Sequence, residues 1–277
     1  MTSWSRDTRP MADLGYDSDF LQTPLAPPGT GDVAGGALLD YTHFTVQMHP
    51  TRRLAWWVAW HIDGLQLFPS ESISRSGERF RADPRIPASA QTLDEAYADN
   101  RLDRGHVARR SDLLWGTLEE ARTANSDSFF FTNITPQMDD FNQSGRGGAW
   151  GLLENAVLAQ DGLEDRRLTL FAGPVLREDD PTYRGIVQVP REHWKVVVYR
   201  MDGELRCKAF VLSQRLVLAR WDEQAFLDDF DTYLVPLDML EERTGLTFAG
   251  LWADVPAAEL RDPGAPVLVE EVGQVAW

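Results

Sequence analysis

The chain has 277 residues, with 43% hydrophobic and 25% charged side chains, which is typical of a soluble globular protein that buries a substantial core. Its formal net charge of −16 argues against a protein that coats nucleic acid, because long-range repulsion would oppose polyphosphate binding, but it allows a locally basic cleft. Cys207 is the only cysteine, which excludes an internal disulfide, and no apolar stretch approaches the length of a membrane span.

The first 37 residues are rich in proline, glycine and aspartate and lack the apolar segment of a secretory signal peptide. They predict an extended N-terminal arm over residues 1–37 that wraps the domain without entering its core, followed by a single domain over residues 38–277. Without a visible signal peptide or transmembrane segment, we expect a cytoplasmic protein or one exported by a non-classical route.

Strands are predicted where aromatic and β-branched residues cluster. The run Leu54–Ile62 (LAWWVAWHI) predicts a buried strand whose tryptophans serve packing rather than ligand binding. Further strands are predicted at Ser128–Thr132, Leu168–Phe171, Trp194–Arg200 and Leu205–Leu212.

Helical spacing of apolar residues predicts a helix over Ala149–Gln160, with Gly162 as its stop signal. Shorter helices are predicted at Leu93–Ala98, Glu223–Phe230 and Leu237–Arg243. Strands and helices interleave without regular βαβ spacing. We therefore expect an α+β fold with a mixed, largely antiparallel β-sheet core flanked by helices.

The segment Arg101–Arg110 (RLDRGHVARR) gathers four arginines around His106 in an otherwise acidic chain. Arginine stays charged and matches phosphate geometry with two parallel donors, and an imidazole moves a proton near neutral pH. This pattern predicts an anion site with a proton-transfer group. The alternative is a solvated, arginine-rich turn beside a structural histidine.

Three further motifs follow in order behind Asp103–His106 (DRGH). They are Thr132–Gln137 (TNITPQ), Asn142-Gln143, and Trp150 with Leu153-Glu154. Together the four motifs resemble the DNA/RNA non-specific endonucleases, which carry a ββα-metal active-site motif. The resemblance covers most of residues 40–250, and an ordered set of motifs is far more specific than DRGH alone.

The resemblance implies a role for each matching residue. His106 would be the general base, since an ordinary histidine pKa of ~6.5 suits proton abstraction at neutral pH. Arg104 would clamp the phosphate, and Asn133 would orient the catalytic groups or bind phosphate. Asn142 would bind Mg²⁺ directly, with Mn²⁺ as a substitute, and Glu154 would act through water as a further catalytic residue.

Other residues receive supporting roles. We expect Asp103 to fix the Arg-Gly-His turn as a hydrogen-bond acceptor, and Gly105 to allow that turn to be tight. Trp150 is expected to pack the metal helix. The residues expected to contact substrate are Arg101, Arg109, Arg110 and Arg146.

The chain departs from the family pattern at several points. Between Asn142 and Trp150 it carries extra residues with three glycines, which predicts a looped-out insertion around Ser144–Gly148. The usual proline after the catalytic histidine and a basic residue after Glu154 are absent. The family's upstream arginine falls near Glu78 here, so that Arg75 or Arg79 would replace it.

The function expected is a Mg²⁺-dependent, sequence-independent endonuclease on DNA and RNA that leaves 5′-phosphate and 3′-hydroxyl ends. Its partners would be nucleic acid and a protein inhibitor, with no membrane. One alternative is a catalytically inactive nucleic-acid-binding module on the same fold. Another is an acidic carbohydrate-active hydrolase using Asp139 and Asp140, which leaves the arginine cluster unexplained. The oligomeric state and the preference for DNA or RNA stay open.

Overall fold

A computed structural model describes residues 14–31, 33–138, 155–156, 159, 163–214, 232–271, 273 and 275–277. Its main feature is an eight-stranded sheet in which every neighbouring pair of strands is antiparallel. In spatial order the strands are β1 (Leu38–Tyr41), β2 (Phe44–Met48), β3 (Ala55–Asp63), β6 (Leu163–Val175), β9 (Glu192–Met201), β10 (Glu204–Ser213), β11 (Thr232–Val235) and β12 (Val267–Leu268).

Two smaller antiparallel pairs stand apart from this sheet. One joins β4 (Leu102–His106) to β5 (Ile134–Met138), and the other joins β7 (Thr182–Tyr183) to β8 (Val187–Gln188). The strands expected from Leu54, Leu168, Trp194 and Leu205 onward are all confirmed within β3, β6, β9 and β10.

The large sheet is buried on both faces because side chains alternate along its central strands. In β3, Val58 and Trp60 belong to one apolar cluster, and Trp57 and Ala59 belong to the other. Trp56 is buried as well, which confirms that these tryptophans pack the core.

Within the described residues, the α-helices whose bounds are given are short and lie around the sheet. They are α1 (Leu118–Asp127), α2 (Leu237–Thr244), α3 (Ala249–Asp254) and α4 (Ala257–Leu260). The helix predicted at Leu237–Arg243 is confirmed by α2. Helix α1 has no predicted counterpart, although Thr117 and Glu120 form the reciprocal capping box that marks a helix start.

Five 3-10 helices complete the regular structure of the described residues. They are Ser70–Ser72, Ala88–Ala90, Asp94–Ala96, Arg110–Leu113 and Phe131–Asn133. The helix predicted near Leu93–Ala98 is thus only a 3-10 turn. Asn155 and Ala156, within the predicted helix Ala149–Gln160, are helical. The remaining residues of that helix, apart from Ala159, and the helix predicted at Glu223–Phe230 lie outside the described residues.

The strand predicted at Ser128–Thr132 is wrong. Phe129 and Phe131 are buried, and this segment forms a single bridge to Arg81 instead of a strand ladder. The Phe129 N–H donates to the Ser126 carbonyl, as in a turn, before the chain enters the 3-10 helix Phe131–Asn133. The strand begins at Ile134. An apolar run does not distinguish a strand from a turn that buries aromatic rings, which explains the error.

The N-terminal arm contributes to the core, which corrects the expectation that it only wraps the domain. Phe20, Leu21 and Leu25 are buried among the side chains of the second cluster. Gly29 bridges to Thr247, next to α2. The arm is therefore held by apolar burial as well as by backbone hydrogen bonds.

The antiparallel sheet with peripheral helices confirms the predicted α+β class. None of the helices in the part of the chain that the structure describes is long and apolar enough to cross a membrane.

Candidate active site

The DRGH motif forms most of β4 and is paired with the TNITPQ motif in β5. His106 lies opposite Ile134, and Arg104 lies opposite Pro136. Residues two apart in a strand point to the same face. The pairing thus brings the two strongest predicted motifs together and places Arg104 beside His106.

Gly105 lies between them in extended strand, so the expected tight turn at this glycine is wrong. A Cβ atom at Gly105 would collide with the side-chain carboxamide of Gln137. The Gln137 side chain thus occupies the space that a side chain at residue 105 would take, so this glycine accommodates packing and not a turn.

Aromatic rings surround His106. Its ring lies 5.6 Å from the ring of Phe80 and 5.4 Å, edge-on, from the ring of Phe129. The Nε2 atom is buried and has no hydrogen-bond partner among the described residues. Burial, followed by the positive charges of Arg75 and Arg110, lowers the pKa of His106 to about 3. The imidazole is therefore neutral at physiological pH and able to accept a proton.

Asn133 fixes the backbone of the two residues that follow His106. Its Oδ1 accepts the backbone N–H of Ala108 at 2.9 Å, and its Nδ2 donates to the carbonyls of Ala108 and Ser128 at 3.0 and 3.2 Å. The backbone N–H of Val107 also donates to the Asn133 carbonyl. The amide is fully buried, and these bonds favour the orienting role over direct phosphate binding.

Arg104 is fixed on several sides. Its Nε and Nη2 both donate to Oδ1 of Asp94, at 3.0 and 2.6 Å. The guanidinium carbon lies 5.5 Å from the ring centre of Phe80 and 5.3 Å from that of Tyr97. Phe80 thus contacts both predicted catalytic side chains of β4.

Arg110, expected to contact substrate, is buried. Its guanidinium donates to Oδ1 of Asn125 at 2.5 Å and to the backbone carbonyls of Ser70 and Ile73. Burial, followed by the charge of Arg75, lowers the pKa of Arg110. Its donors hold the segment 70–73 against α1, which leaves it as a source of positive potential rather than a free phosphate contact.

Arg75 is an exposed arginine near His106. Its charge lowers the pKa of both His106 and Arg110, which places it in the same electrostatic neighbourhood. The Arg75 guanidinium has no hydrogen bond or ion pair with any other described residue. Of the two candidates for the missing upstream arginine, Arg75 is electrostatically coupled to His106.

The remaining predicted contacts are dispersed. Arg101 is exposed at the start of β4, and Arg109 is half-buried just before the 3-10 helix Arg110–Leu113. The predicted residues that lie outside the described part of the chain are Asn142, Ser144–Gly148, Arg146, Trp150 and Glu154.

The described residues contain no group of three or more histidine, cysteine, aspartate or glutamate side chains that could hold a metal ion. They provide a neutral imidazole and cationic side chains, whereas the predicted metal ligands, Asn142 and Glu154, belong to the segment that follows β5. The predicted metal ligands are therefore different residues from Asn133, Arg104 and Arg110, whose side chains already form hydrogen bonds within the fold.

Sequence reasoning missed four residues that shape this site. Phe80 and Phe129 pack against the His106 ring. Asp94 accepts hydrogen bonds from Arg104, and Tyr97 packs against its guanidinium. Spacing along the chain gave no signal for them, because they come from three separate loops. Asp94 lies within the helix predicted at Leu93–Ala98, but nothing in that short element indicated a contact with Arg104.

Comparison with known proteins identifies the family of this chain. The model of the family described as DNA/RNA non-specific endonuclease matches residues 22–255. The uncharacterized protein y4fB of Sinorhizobium fredii is 32% identical over 93% of this chain, which spans 39% of that longer protein. A nuclease of Nostoc is 29% identical over 85% of this chain and 78% of its own length. Mitochondrial endonuclease G of Homo sapiens is 26% identical over 72% and 65%, respectively.

A solved structure shares the fold. A chain in the crystal structure of the EndoG/EndoGI complex superposes with a TM-score of 0.63 at 19% identity, over 88% of this chain and 94% of that one. The family match extends from the N-terminal arm to the helices behind β11 and includes all the site motifs. The chain therefore belongs to the DNA/RNA non-specific endonuclease family.

Proposed function

We propose that this chain is an endonuclease that hydrolyses phosphodiester bonds of DNA and RNA without sequence specificity, with His106 as general base. The observation that carries the proposal is the neutral His106 imidazole, whose Nε2 has no partner among the described residues, on the same strand face as Arg104. Membership of a family of metal-dependent nucleases supports the reaction class.

His106 takes a proton from the attacking water. Its pKa of about 3 means that the proton-accepting form is fully populated across the neutral range. A bound phosphate brings negative charge to the side chain that Arg75 and Arg110 now surround with positive charge, which raises the pKa of His106 and strengthens the base. Asn133 keeps the ring in place through its bonds to Ala108.

Arg104 and Arg75 receive the scissile phosphate. Arg104 presents a guanidinium whose orientation is fixed by Asp94, and Arg75 adds an exposed charge. Stabilisation of charge that develops on the phosphoryl oxygens is the largest contribution that such donors make to phosphoryl transfer. Arg101, Arg109 and Arg146 contact the flanking backbone, and Arg110 acts by holding the segment 70–73.

Asn142 would hold Mg²⁺ directly, with Mn²⁺ as a substitute, and Glu154 would act through water. A neutral amide oxygen is a hard ligand that suits an ion retaining most of its waters. Such an ion would supply positive charge for the phosphate and the leaving 3′ oxygen, in keeping with cleavage to 5′-phosphate and 3′-hydroxyl ends.

A protein inhibitor belongs to the same proposal. The structural neighbour comes from a complex described as the mechanism of EndoG inhibition, and the two chains share their fold. A protein that covers the His106 side of β4 would block access of nucleic acid to the site.

The test is cleavage of supercoiled plasmid and of structured RNA by the purified protein, with Mg²⁺ and with excess EDTA. The proposal expects cleavage of both substrates with Mg²⁺ and none with EDTA. Binding of both substrates without cleavage would instead identify an inactive binding module. Absence of binding and cleavage, with release of sugar from a polysaccharide panel, would identify a carbohydrate-active hydrolase.

A further inference from the structure

We propose that Asp94 is a positioning residue for the nuclease reaction and that it acts by orienting the guanidinium of Arg104. This inference rests on the proposed function, in which Arg104 binds the scissile phosphate. It assigns a role to a carboxylate that lies outside every motif carrying the resemblance to the family.

The contact between Asp94 and Arg104 is directional. Both Nε and Nη2 of Arg104 donate to a single oxygen of Asp94, at 3.0 and 2.6 Å. Asp94 thereby occupies one edge of the planar guanidinium. The other edge, which carries Nη1, has no partner among the described residues and is available for the bidentate contact that arginine makes with phosphate.

Two rings restrict the same guanidinium. Its central carbon lies 5.5 Å from the ring centre of Phe80 and 5.3 Å from that of Tyr97. The ring of Phe80 also lies 5.6 Å from the His106 ring, so Phe80 packs next to both Arg104 and His106. The ion pair and the rings together leave Arg104 few rotamers, which lowers the entropy lost on binding.

The 3-10 helix that carries Asp94 is fixed by burial and by hydrogen bonds. Asp94 begins the 3-10 helix Asp94–Ala96, in which Ala96 is completely buried, and the Asn100 side chain donates to the Ala96 carbonyl at 2.7 Å. The Thr92 hydroxyl donates to the Arg53 carbonyl. A carboxylate on such a turn holds its partner in one place.

Stability of the fold does not account for this pair. The side chains of Arg104 and Asp94 are 32% and 66% exposed, and ion pairs in such positions add little to the free energy of unfolding. A second role, competition with phosphate for Arg104, would make loss of the carboxylate beneficial to substrate binding. Positioning and competition therefore predict changes of opposite sign.

Steady-state cleavage of duplex DNA in Mg²⁺ by Asp94→Asn, Asp94→Glu and the matched control Glu95→Gln tests the proposal. Glu95 lies on the same turn, is 49% exposed and pairs with Arg53 instead. Positioning predicts that Asp94→Asn lowers kcat about 10-fold with a smaller change in KM, because misorientation acts mainly in the transition state. Asp94→Glu should recover most of the loss, and Glu95→Gln should stay within about 2-fold of wild type.

Arg104→Ala and the double variant Asp94→Asn/Arg104→Ala complete the cycle. If Asp94 acts through Arg104, its substitution has no further effect once Arg104 is gone. Additive losses, a normal kcat for Asp94→Asn, or a lowered KM with unchanged kcat would overturn the proposal. Full activity of Arg104→Ala would overturn the assigned role of Arg104 as well, whereas failure at Asp94 alone leaves that role standing. Thermal unfolding of each variant confirms that the protein is folded.

Discussion

The surroundings of His106 hold its imidazole in the neutral form. Phe80 and Phe129 remove water from the ring, and the charges of Arg75 and Arg110 oppose protonation. In the proposed reaction, the same positive charges attract the phosphate next to which His106 takes a proton from water. The charges that lower the pKa of His106 in the free protein would therefore also favour binding of a phosphate substrate.

Removal of the base should abolish most of the turnover. We expect His106→Ala to lower kcat by about 10²–10⁴-fold, the usual contribution of a positioned general base. The half-buried ring makes no hydrogen bond within the described residues, so the fold should survive. Plasmid cleavage and circular dichroism measure the two effects. A folded variant with near-normal turnover would remove His106 from the mechanism.

Arg75 should control both substrate affinity and the pKa of the base. Because its positive charge lowers the pKa of His106, Arg75→Gln should raise that pKa, and the acid limb of kcat/KM should move to higher pH. We also expect a loss of kcat/KM at neutral pH of about 10-fold, or ~1.4 kcal/mol of transition-state stabilisation. The histidine resonances in NMR titrations and the kinetic pH profile check the two results.

Arg79→Gln provides the matched control for Arg75→Gln. Arg79 is an exposed arginine four residues further along, and its charge is not among the causes of the His106 pKa shift. It should leave the His106 titration unchanged. Equal effects of the two variants would show that net charge, and not the location of Arg75, is responsible.

Among individual residues, the motifs predicted His106 and Arg104 as site residues because the chemistry of these side chains depends on residue type and spacing. They did not predict that Arg110 is buried, since four arginines in one segment look alike until tertiary packing separates them. Nor did they indicate Asp94, because an ion pair between a 3-10 helix and β4 leaves no periodic pattern in the sequence.

At the level of elements, the β4–β5 pair must be held against the large sheet if His106 is to stay in register. Gln214, at the end of β10, provides the tie. Its Oε1 accepts the Met138 N–H at 2.9 Å, and its Nε2 donates to the carbonyls of Pro136 and Pro190 at 3.2 and 2.6 Å. A second link joins the Thr135 hydroxyl to His193 Nε2 at 3.2 Å.

Loss of the Gln214 carboxamide should loosen the catalytic strands. Gln214→Ala leaves an N–H and two carbonyls buried without partners, and we expect the free energy of unfolding to fall by about 2–4 kcal/mol. We also expect a lower kcat, because Pro136, one of the residues that Gln214 binds, lies directly opposite Arg104 in the strand pair that also carries His106. Urea unfolding and plasmid cleavage report the two losses.

Gln188→Ala is the control for Gln214→Ala. Gln188 also donates to backbone carbonyls, those of Glu178 and Asp180, but it lies on the small β7–β8 pair and is only half-buried. Its loss should cost less stability and leave kcat unchanged. A similar fall in kcat for both variants would argue against a special role for the tie at β5.

Elements with long aromatic and β-branched runs were predictable, and the turn set by packing of Phe129 and Phe131 was not. The apolar runs of β3, β9 and β10 are buried on both faces of the sheet, as expected for central strands. Phe129 and Phe131 gave the same signal, yet their rings fill the space beside Phe80. The choice between strand and turn at this point depends on a segment almost fifty residues away, which no local pattern contains.

For the whole molecule, an acidic net charge coexists with local positive charge at His106, because the fold brings Arg75 and Arg110, from segments before and after β4, close to this residue. The net charge of −16 describes the average surface and not the site. An acidic composition is thus compatible with a locally basic site, which the charge of the whole chain does not indicate.

All five histidines have a pKa lowered by burial, which makes the whole fold sensitive to acid. His61 illustrates the cause. Its ring is stacked between Tyr16 and Phe20 of the N-terminal arm, and its Nε2 accepts the Asp17 N–H at 3.0 Å. Burial lowers the pKa of His61 and of His193 to about 3. Protonation of His61 would remove an acceptor that fixes the arm.

The sign of the pH dependence follows from these shifts. Between an unfolded-state pKa of ~6.5 and a folded-state pKa of about 3, the unfolded chain binds protons that the folded protein excludes. Stability is therefore fully present above pH ~6.5 and declines as the pH falls toward 3, by about 1.4 kcal/mol per pH unit for each fully buried histidine. Urea unfolding at constant ionic strength between pH 7 and 5 should show this decline before most carboxylates titrate. His106→Ala, which lacks one of the five, should show a shallower slope. A free energy of unfolding that stays constant from pH 7 to 5 would mean that these histidines are protonated in the folded protein.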